Sequence, residues 1–324
     1  MNKEDEMQLS DSQIAAIAHD FYLNNLNIEE LSQKYELSRY LIDKALKDAR
    51  SKQIVQITIN GDNTRRHSEL EYYFKQIFNL DEVYILRKGL TKTEDEENLT
   101  RFAATILQQL LKHATNVGLT WGTTSLDIIN NFQHENRPNL TFVQLLGIST
   151  ESGHRKNPLV QQAAYKFNAN FLELPAPLYC VNPKTITYLK QEPMFTSLKK
   201  YYPNLDLVVT GLGTMQSIEE NRNMSEQYST TLFEQIDSSI VAGFIFGRPY
   251  TIYGNFFDSL EPYICGISLA DIKKTPIKFV IEKNRFKADA LLGALNTGLI
   301  THLVITEGIA SRVLQKIGTT PSGK

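Results

Sequence analysis

Residues 28–50 read IEELSQKYELSRYLIDKALKDAR, and their spacing decides the build of the N-terminal part of the chain. Leu31, Tyr35, Leu37, Ile42, Ala45 and Leu46 put apolar or semi-apolar groups at the intervals of two short helices. Glu36-Leu37-Ser38 separates them as a tight turn. Ser32 is small where two helices of a helix-turn-helix approach closely. The Ser38 hydroxyl can cap the second helix. That helix presents Arg39, Tyr40, Asp43, Lys44 and Lys47 outward, and with Ser38 these are the expected DNA-contact residues. A helix so equipped suits the major groove, where arginine and lysine meet guanine edges or phosphates. Double-stranded DNA is therefore the expected partner.

Working outward, Ser10–Asn24 repeats Ile14, Ile17, Ala18 and Phe21 at helical spacing, with Ser10 or Asp11 to cap it. Asn27 can cap the helix that follows. Ile54–Ile59 alternates β-branched residues and predicts a short strand, the wing of a winged head. Asn60-Gly61-Asp62-Asn63 is a turn signal. The expected organisation is an all-α helix-turn-helix head over 1–60, a linker over 61–66 and a body over 67–324.

Charge distribution agrees with the head assignment. The 324-residue chain has a formal net charge of −2, which by itself gives no hint of nucleic acid. Residues 1–60 hold seven basic against ten acidic side chains, whereas residues 38–52 hold five against two. The positive charge is concentrated where phosphate contact would need it. Cys180 and Cys265 are the only cysteines, too few for a disulfide framework or a zinc site. None of the six histidines pairs at metal-ligand spacing, so neither a metal nor a cofactor is expected. The polar N-terminus and the lack of a long apolar run predict no membrane span and a cytoplasmic location.

From His67 onward helical and extended patterns alternate. Strands are expected at 82–86, 117–121, 141–146, 205–210, 239–246, 278–281 and 302–305. Helices are expected at 69–78, 94–113, 158–167, 286–295 and 308–317. Such alternation indicates a Rossmann-like α/β domain with a mostly parallel sheet. Apolar runs such as Leu207-Val208-Val209 fit a sheet covered on both faces.

The sharpest ligand signal in the body is Trp121-Gly122-Thr123-Thr124-Ser125. A strand ends, glycine permits a sharp turn, and hydroxyls precede a helix. Free N–H groups at a helix start, with Thr and Ser hydroxyls, bind phosphate well; a plain helix cap would look the same. Gly153–Pro158 is a second polar loop, in which Arg155 can grip a phosphate and Asn157 a sugar hydroxyl. It can equally be a solvated basic loop. Lys283, Arg285 and Lys287 can neutralise an anion or form a charged helix face. No GxGxxG or Walker-type pattern is present.

Taken together the chain resembles the SorC family of transcriptional regulators. The resemblance is carried by ELSRYLIDKALKDARSKQIVQITI, VGLTWGTTS, LVQQAAYKFNANFLELPAP, LDLVVTGLGTM and FKADALLGALNTGLITHLVITEGIA, in that order. It implies a body related to sugar-phosphate isomerases that binds a phosphorylated sugar without turning it over. It also implies homodimers or homotetramers on palindromic operators. Gly122, Thr123, Thr124 and Ser125 match the family's phosphate loop, and Lys287 matches a lysine that reaches the effector. Arg248 matches the arginine of a G-R-F-x-D segment. Thr251 stands where the family commonly has aspartate, and Glu282–Arg285 where it has glycines. Glu307-Gly308 replaces a C-terminal Asp-Glu. The Schiff-base lysine of the deoxyribonucleoside branch falls on or near Leu146.

The expectation is a DNA-binding repressor-type regulator of a carbohydrate operon, not an enzyme. The rival is a sugar-phosphate isomerase with an accessory head. An isomerase needs a positioned general base, and Glu307 is the one obvious acid in the loops named.

Overall fold

The computed structural model describes residues 9–52, 54–55, 66–89, 91–148, 158–228, 233 and 236–318. The chain separates into two compact units, Met1–Asp62 and Asn63–Lys324.

Among the described residues the first unit holds three helices: α1 (Asp11–Tyr22), α2 (Ile28–Tyr35) and α3 (Arg39–Ser51). Each begins at a side-chain cap. Ser10 accepts from Gln13 N–H, and Asn27 from the N–H groups of Glu29 and Glu30. Ser38 accepts from Leu41 N–H. Such caps satisfy donors that a helix start otherwise leaves open. Between α2 and α3 the chain reverses through Glu36 in the left-handed region, at φ 54°. Ile14, Ile17, Ala18, Leu31, Ile42, Ala45, Leu46 and Ala49 form the small core. The Ser32 hydroxyl is buried without a hydrogen-bond partner among the described residues. Ser32 thus serves there by its small size. Ile54 and Val55, expected to begin a wing strand, lie in a bend; Gln56–Ile59 fall outside the described residues.

One carboxylate ties this unit together. Asp20 is almost wholly buried and accepts from Lys34 Nζ at 2.6 Å, Tyr35 Oη at 2.7 Å and Asn24 Nδ2 at 2.8 Å. It fastens the end of α1 to the end of α2, immediately before the turn into α3. The Lys34 ammonium, with the Tyr35 and Asn24 donors, holds its carboxyl well below the usual carboxylate range. Burial and the Asp20 charge push the Tyr35 phenol up to about 12.

The second unit runs through α4 (Ser68–Phe78), β1 (Glu82–Leu86), α5 (Lys92–Leu111), β2 (Asn116–Leu119), α6 (Thr123–Asn131), β3 (Thr141–Gln144), α7 (Leu159–Phe167) and β4 (Asn170–Leu172). There follow α8 (Pro183–Leu189), α9 (Pro193–Tyr201), β5 (Leu207–Thr210), α10 (Met215–Glu219), α11 (Arg222–Tyr228), β6 (Val241–Ile245) and β7 (Arg248–Thr251). The last elements are α12 (Leu269–Lys274), β8 (Ile277–Glu282), α13 (Ala288–Asn296), β9 (His302–Thr306) and α14 (Glu307–Lys316).

Seven strands form one sheet in the order β1-β9-β8-β5-β2-β3-β4, and every pair is parallel. Successive residues feed opposite faces. Leu207 and Val209 join the core that includes α5, α6 and α7, while Val208 joins the core on the other face. Phe279 and Ile281 divide from Val280 in the same way. Burial on both sides explains why these strands read as continuous apolar runs.

The sequence pattern does not reveal β4, α8–α12 or β7. Strand β7 pairs antiparallel with β6 as a hairpin, over a two-residue turn in which Phe246 and Gly247 both take positive φ. That turn matches the twist of a hairpin. The strand expected over 239–246 is β6, shortened to 241–245.

The Asp20 network gives a pH dependence with a definite sign. A carboxyl depressed on folding adds stability that is present above its ordinary pKa and lost as pH falls through the folded value. Asp20→Asn is expected to lower the melting temperature of the head at neutral pH. The difference from the parent protein should shrink progressively as pH drops below about 4. Circular dichroism melts of both proteins across pH 2–7 measure this, and a pH-independent difference would contradict it.

Candidate functional site

After Leu119 the chain leaves β2 towards α6 on one face of the sheet. After Thr210 it leaves the neighbouring β5 towards α10 and α11, whose Met224 and Tyr228 lie on the other face. Between these departures is the switch point of the strand order, where parallel α/β sheets open a crevice for ligands. A cavity of about 230 Å³ lies there. This is smaller than the roughly 300–1,000 Å³ of drug-sized pockets and suits a small molecule.

Its polar wall begins at Gly122, whose φ of 145° turns the chain into α6. Helix α6 has no side-chain cap. The first-turn N–H groups of Thr123, Thr124 and Ser125 therefore have no intrahelical acceptor, and all three residues line the cavity. Thr210, Ser217, Asn221 and Lys287 complete this wall. Lys287 is the one charged residue among the described lining residues. Its Nζ donates to the Leu212 carbonyl at 2.7 Å and stands 3.4 Å from Glu282 Oε2.

The opposite wall is apolar. The hairpin delivers Phe244, Phe246 and Gly247, and Leu146, Leu178 and Tyr179 lie beside them. Trp121 sits at the edge, with its indole Nε1 donating to the Gly147 carbonyl at 3.0 Å. Apart from Trp121, these aromatic residues carry no ligand signal in the sequence, because the hairpin and loops that bring them together are not periodic.

Two expected effector residues stand elsewhere. Arg248 is not in the cavity lining. Its buried guanidinium forms a fork with Glu261, Nε to Oε2 and Nη2 to Oε1 at 2.7 Å each. It also donates to the carbonyls of Phe246 and Ile267. Arg248, expected at the effector site, thus stands outside the described lining with its guanidinium engaged by Glu261 and two backbone carbonyls. Glu307, the first residue of α14, also lies outside the lining. It accepts from Lys88 N–H at 3.4 Å and stands 3.9 Å from His67 Nε2, so it serves a local contact at the end of β9. Arg155 and Asn157 fall outside the described residues. Thr251 likewise is not part of the lining; its backbone and hydroxyl close the turn to Asn255.

On α3, Arg39, Tyr40, Asp43, Lys44 and Lys47 are all exposed, and Ser38 is half-buried at the cap. They share one outward face opposite the buried Ile42, Ala45, Leu46 and Ala49. Arg39 pairs with Glu29 at 2.9 Å across the turn, a surface contact that a stronger partner can displace. Arg50 is instead held by Tyr22, donating Nε to the phenol oxygen.

A helix-turn-helix head and a doubly wound body with a cavity at its switch point together define a ligand-binding transcriptional regulator. The model of the sugar-binding domain family matches residues 62–315, so the chain belongs to that family, within the SorC group of regulators. The sorbitol operon regulator of Klebsiella pneumoniae is 25% identical over 321 residues, covering 97% of this chain and 100% of its own. The deoxyribonucleoside regulator of Bacillus subtilis (strain 168) is 20% identical over 309 residues, covering 91% and 94%. The crystal structure of full-length SorC from Klebsiella pneumoniae matches with a TM-score of 0.68 at 24% identity, covering 94% of this chain and 98% of that one. Among the described residues no helix is long and apolar enough to cross a membrane, and no cluster of His, Cys, Asp and Glu is set to hold a metal.

The Arg248 geometry predicts a stability effect. Arg248→Lys loses the two-pronged contact that lysine cannot make. It should cost about 1.5–3 kcal/mol, the range for hydrogen bonds to charged groups. Urea unfolding checks this; an unchanged midpoint would return Arg248 to the list of groups free to meet a ligand.

Proposed function

We propose that the chain is a cytoplasmic regulator of a carbohydrate operon that binds operator DNA through α3 and takes a phosphorylated sugar in the switch-point cavity. The observation that carries this reading is one cavity holding an uncapped helix start with its three hydroxyl residues, and a lysine. Helix-start N–H groups favour an anion, and the lysine supplies the charge that a buried phosphate needs. The apolar wall fits the carbon skeleton of a sugar.

The isomerase reading finds less support. Among the described lining residues none is a carboxylic acid or a histidine, and Lys287 is engaged by Leu212 and Glu282. Abstracting a proton from a sugar phosphate requires a base within hydrogen-bond reach. The role that remains is binding, and a bound sugar alters DNA affinity by favouring one conformational state over another.

For DNA, one short recognition helix contacts too few base pairs for tight specific binding, so the working form is a homodimer or homotetramer on a palindromic site. Lys44→Ala should weaken operator binding nearly equally across sequences and flatten its salt dependence, as a phosphate contact does. Arg39→Ala should cost about 1–3 kcal/mol and relax specificity. Binding titrations with light scattering of the complex test both points. Unchanged affinity in both variants, or one subunit per site, would count against this arrangement.

For the effector, calorimetry with pentose and hexose phosphates should show binding that Thr123→Glu abolishes by charge repulsion. Lys287→Ala should weaken it by about 1.5–3 kcal/mol. Binding that survives Thr123→Glu would place the ligand elsewhere.

A further inference from the structure

Strand β8 ends on a carboxylate that the proposed binding does not use. Glu282 is 3% exposed, and burial raises its carboxyl above the usual range, against the pull of Lys287 and nearby backbone N–H groups. Its Oε1 accepts from Asn284 N–H at 2.8 Å, and its Oε2 faces Lys287 Nζ at 3.4 Å. Glu282 does not line the cavity, so it acts on a ligand by its charge and through its pairing with Lys287, not by contact. Lys287 has a second tether, the Leu212 carbonyl at 2.7 Å, which holds Nζ at the cavity wall independently of Glu282.

We propose that Glu282 is the internal counter-anion of the cavity and sets its selectivity by ligand charge. With the cavity empty, the carboxylate matches the lysine. A phosphate that enters must share Lys287 with a negative charge already beside it, whereas an uncharged sugar meets no such competitor. Glu282 thereby lowers affinity for phosphorylated ligands and leaves affinity for their neutral parents untouched. It is a positioning and specificity residue, not a ligand contact. This rests on the reading of the cavity as a sugar-phosphate site.

The test compares the full-length protein with Glu282→Gln and Glu282→Asp against a panel of pentose and hexose phosphates and the same sugars unphosphorylated. Glutamine keeps the shape and the acceptor for Asn284 N–H but removes the charge. A unit charge removed a few ångströms from the cation should tighten phosphate binding at least about tenfold. Neutral sugars should change less than about twofold, a split that loosened packing alone would not produce. Glu282→Asp, which keeps the charge, should stay near the parent and serves if the glutamine variant does not fold: a gain there of the same tenfold size overturns the proposal. If the parent binds no phosphate and Glu282→Gln does, the proposal stands. If the parent binds phosphates and Glu282→Gln binds them no tighter, the proposal fails and the cavity reading survives. If neither binds any phosphate, both fail.

Discussion

Two neighbouring parallel strands part company at their carboxyl ends, and the organisation of the body follows from that divergence. Strand β2 sends its chain to α6 on one face, and β5 sends its chain to α10 and α11 on the other. Their register, with Val117 opposite Leu207 and Leu119 opposite Val209, brings the two exits level. The gap between them is walled in part by elements inserted between β5 and β8. The β6–β7 hairpin does this, and a bridge between Gly213 and Phe244 fixes it to the loop after β5. The strand-to-helix turn thus opens the polar wall, and the hairpin of the insertion brings Phe244 and Phe246 to the apolar wall.

This division explains what can be read from sequence. The head is legible because its signals are local: Asn27 and Ser38 cap helices within three residues of themselves. The sheet is legible because burial on both faces enforces apolar runs. Gly122–Ser125 is legible because a strand-to-helix junction has its own chemistry. The hairpin is not, since Gly247-Arg248-Pro249-Tyr250 reads as a broken turn until β6 is there to pair with it. Arg248 follows from the same limit. Motif resemblance marks its position but not its partner, Glu261, which lies thirteen residues further along the chain. Glu282 looks like an ordinary end to a strand until Lys287 is placed beside it.

Buried charge is handled in the same manner in both units. Asp20 in the head, and Arg248 and Glu282 in the body, are each nearly inaccessible, and each faces an opposite charge. Isolated charges in such surroundings are costly, so a partner is obligatory. Asp20 and Arg248 spend that pairing on local architecture. Glu282 spends it on a residue that a ligand can reach.

Trp121 is the only tryptophan in the chain, and its ring is pinned by Gly147 at the cavity edge. Excited at wavelengths that tyrosine does not absorb, the molecule consequently emits from beside the cavity. Occupancy can be followed as a change in colour or brightness of that light, with no label attached and with no other indole contributing background.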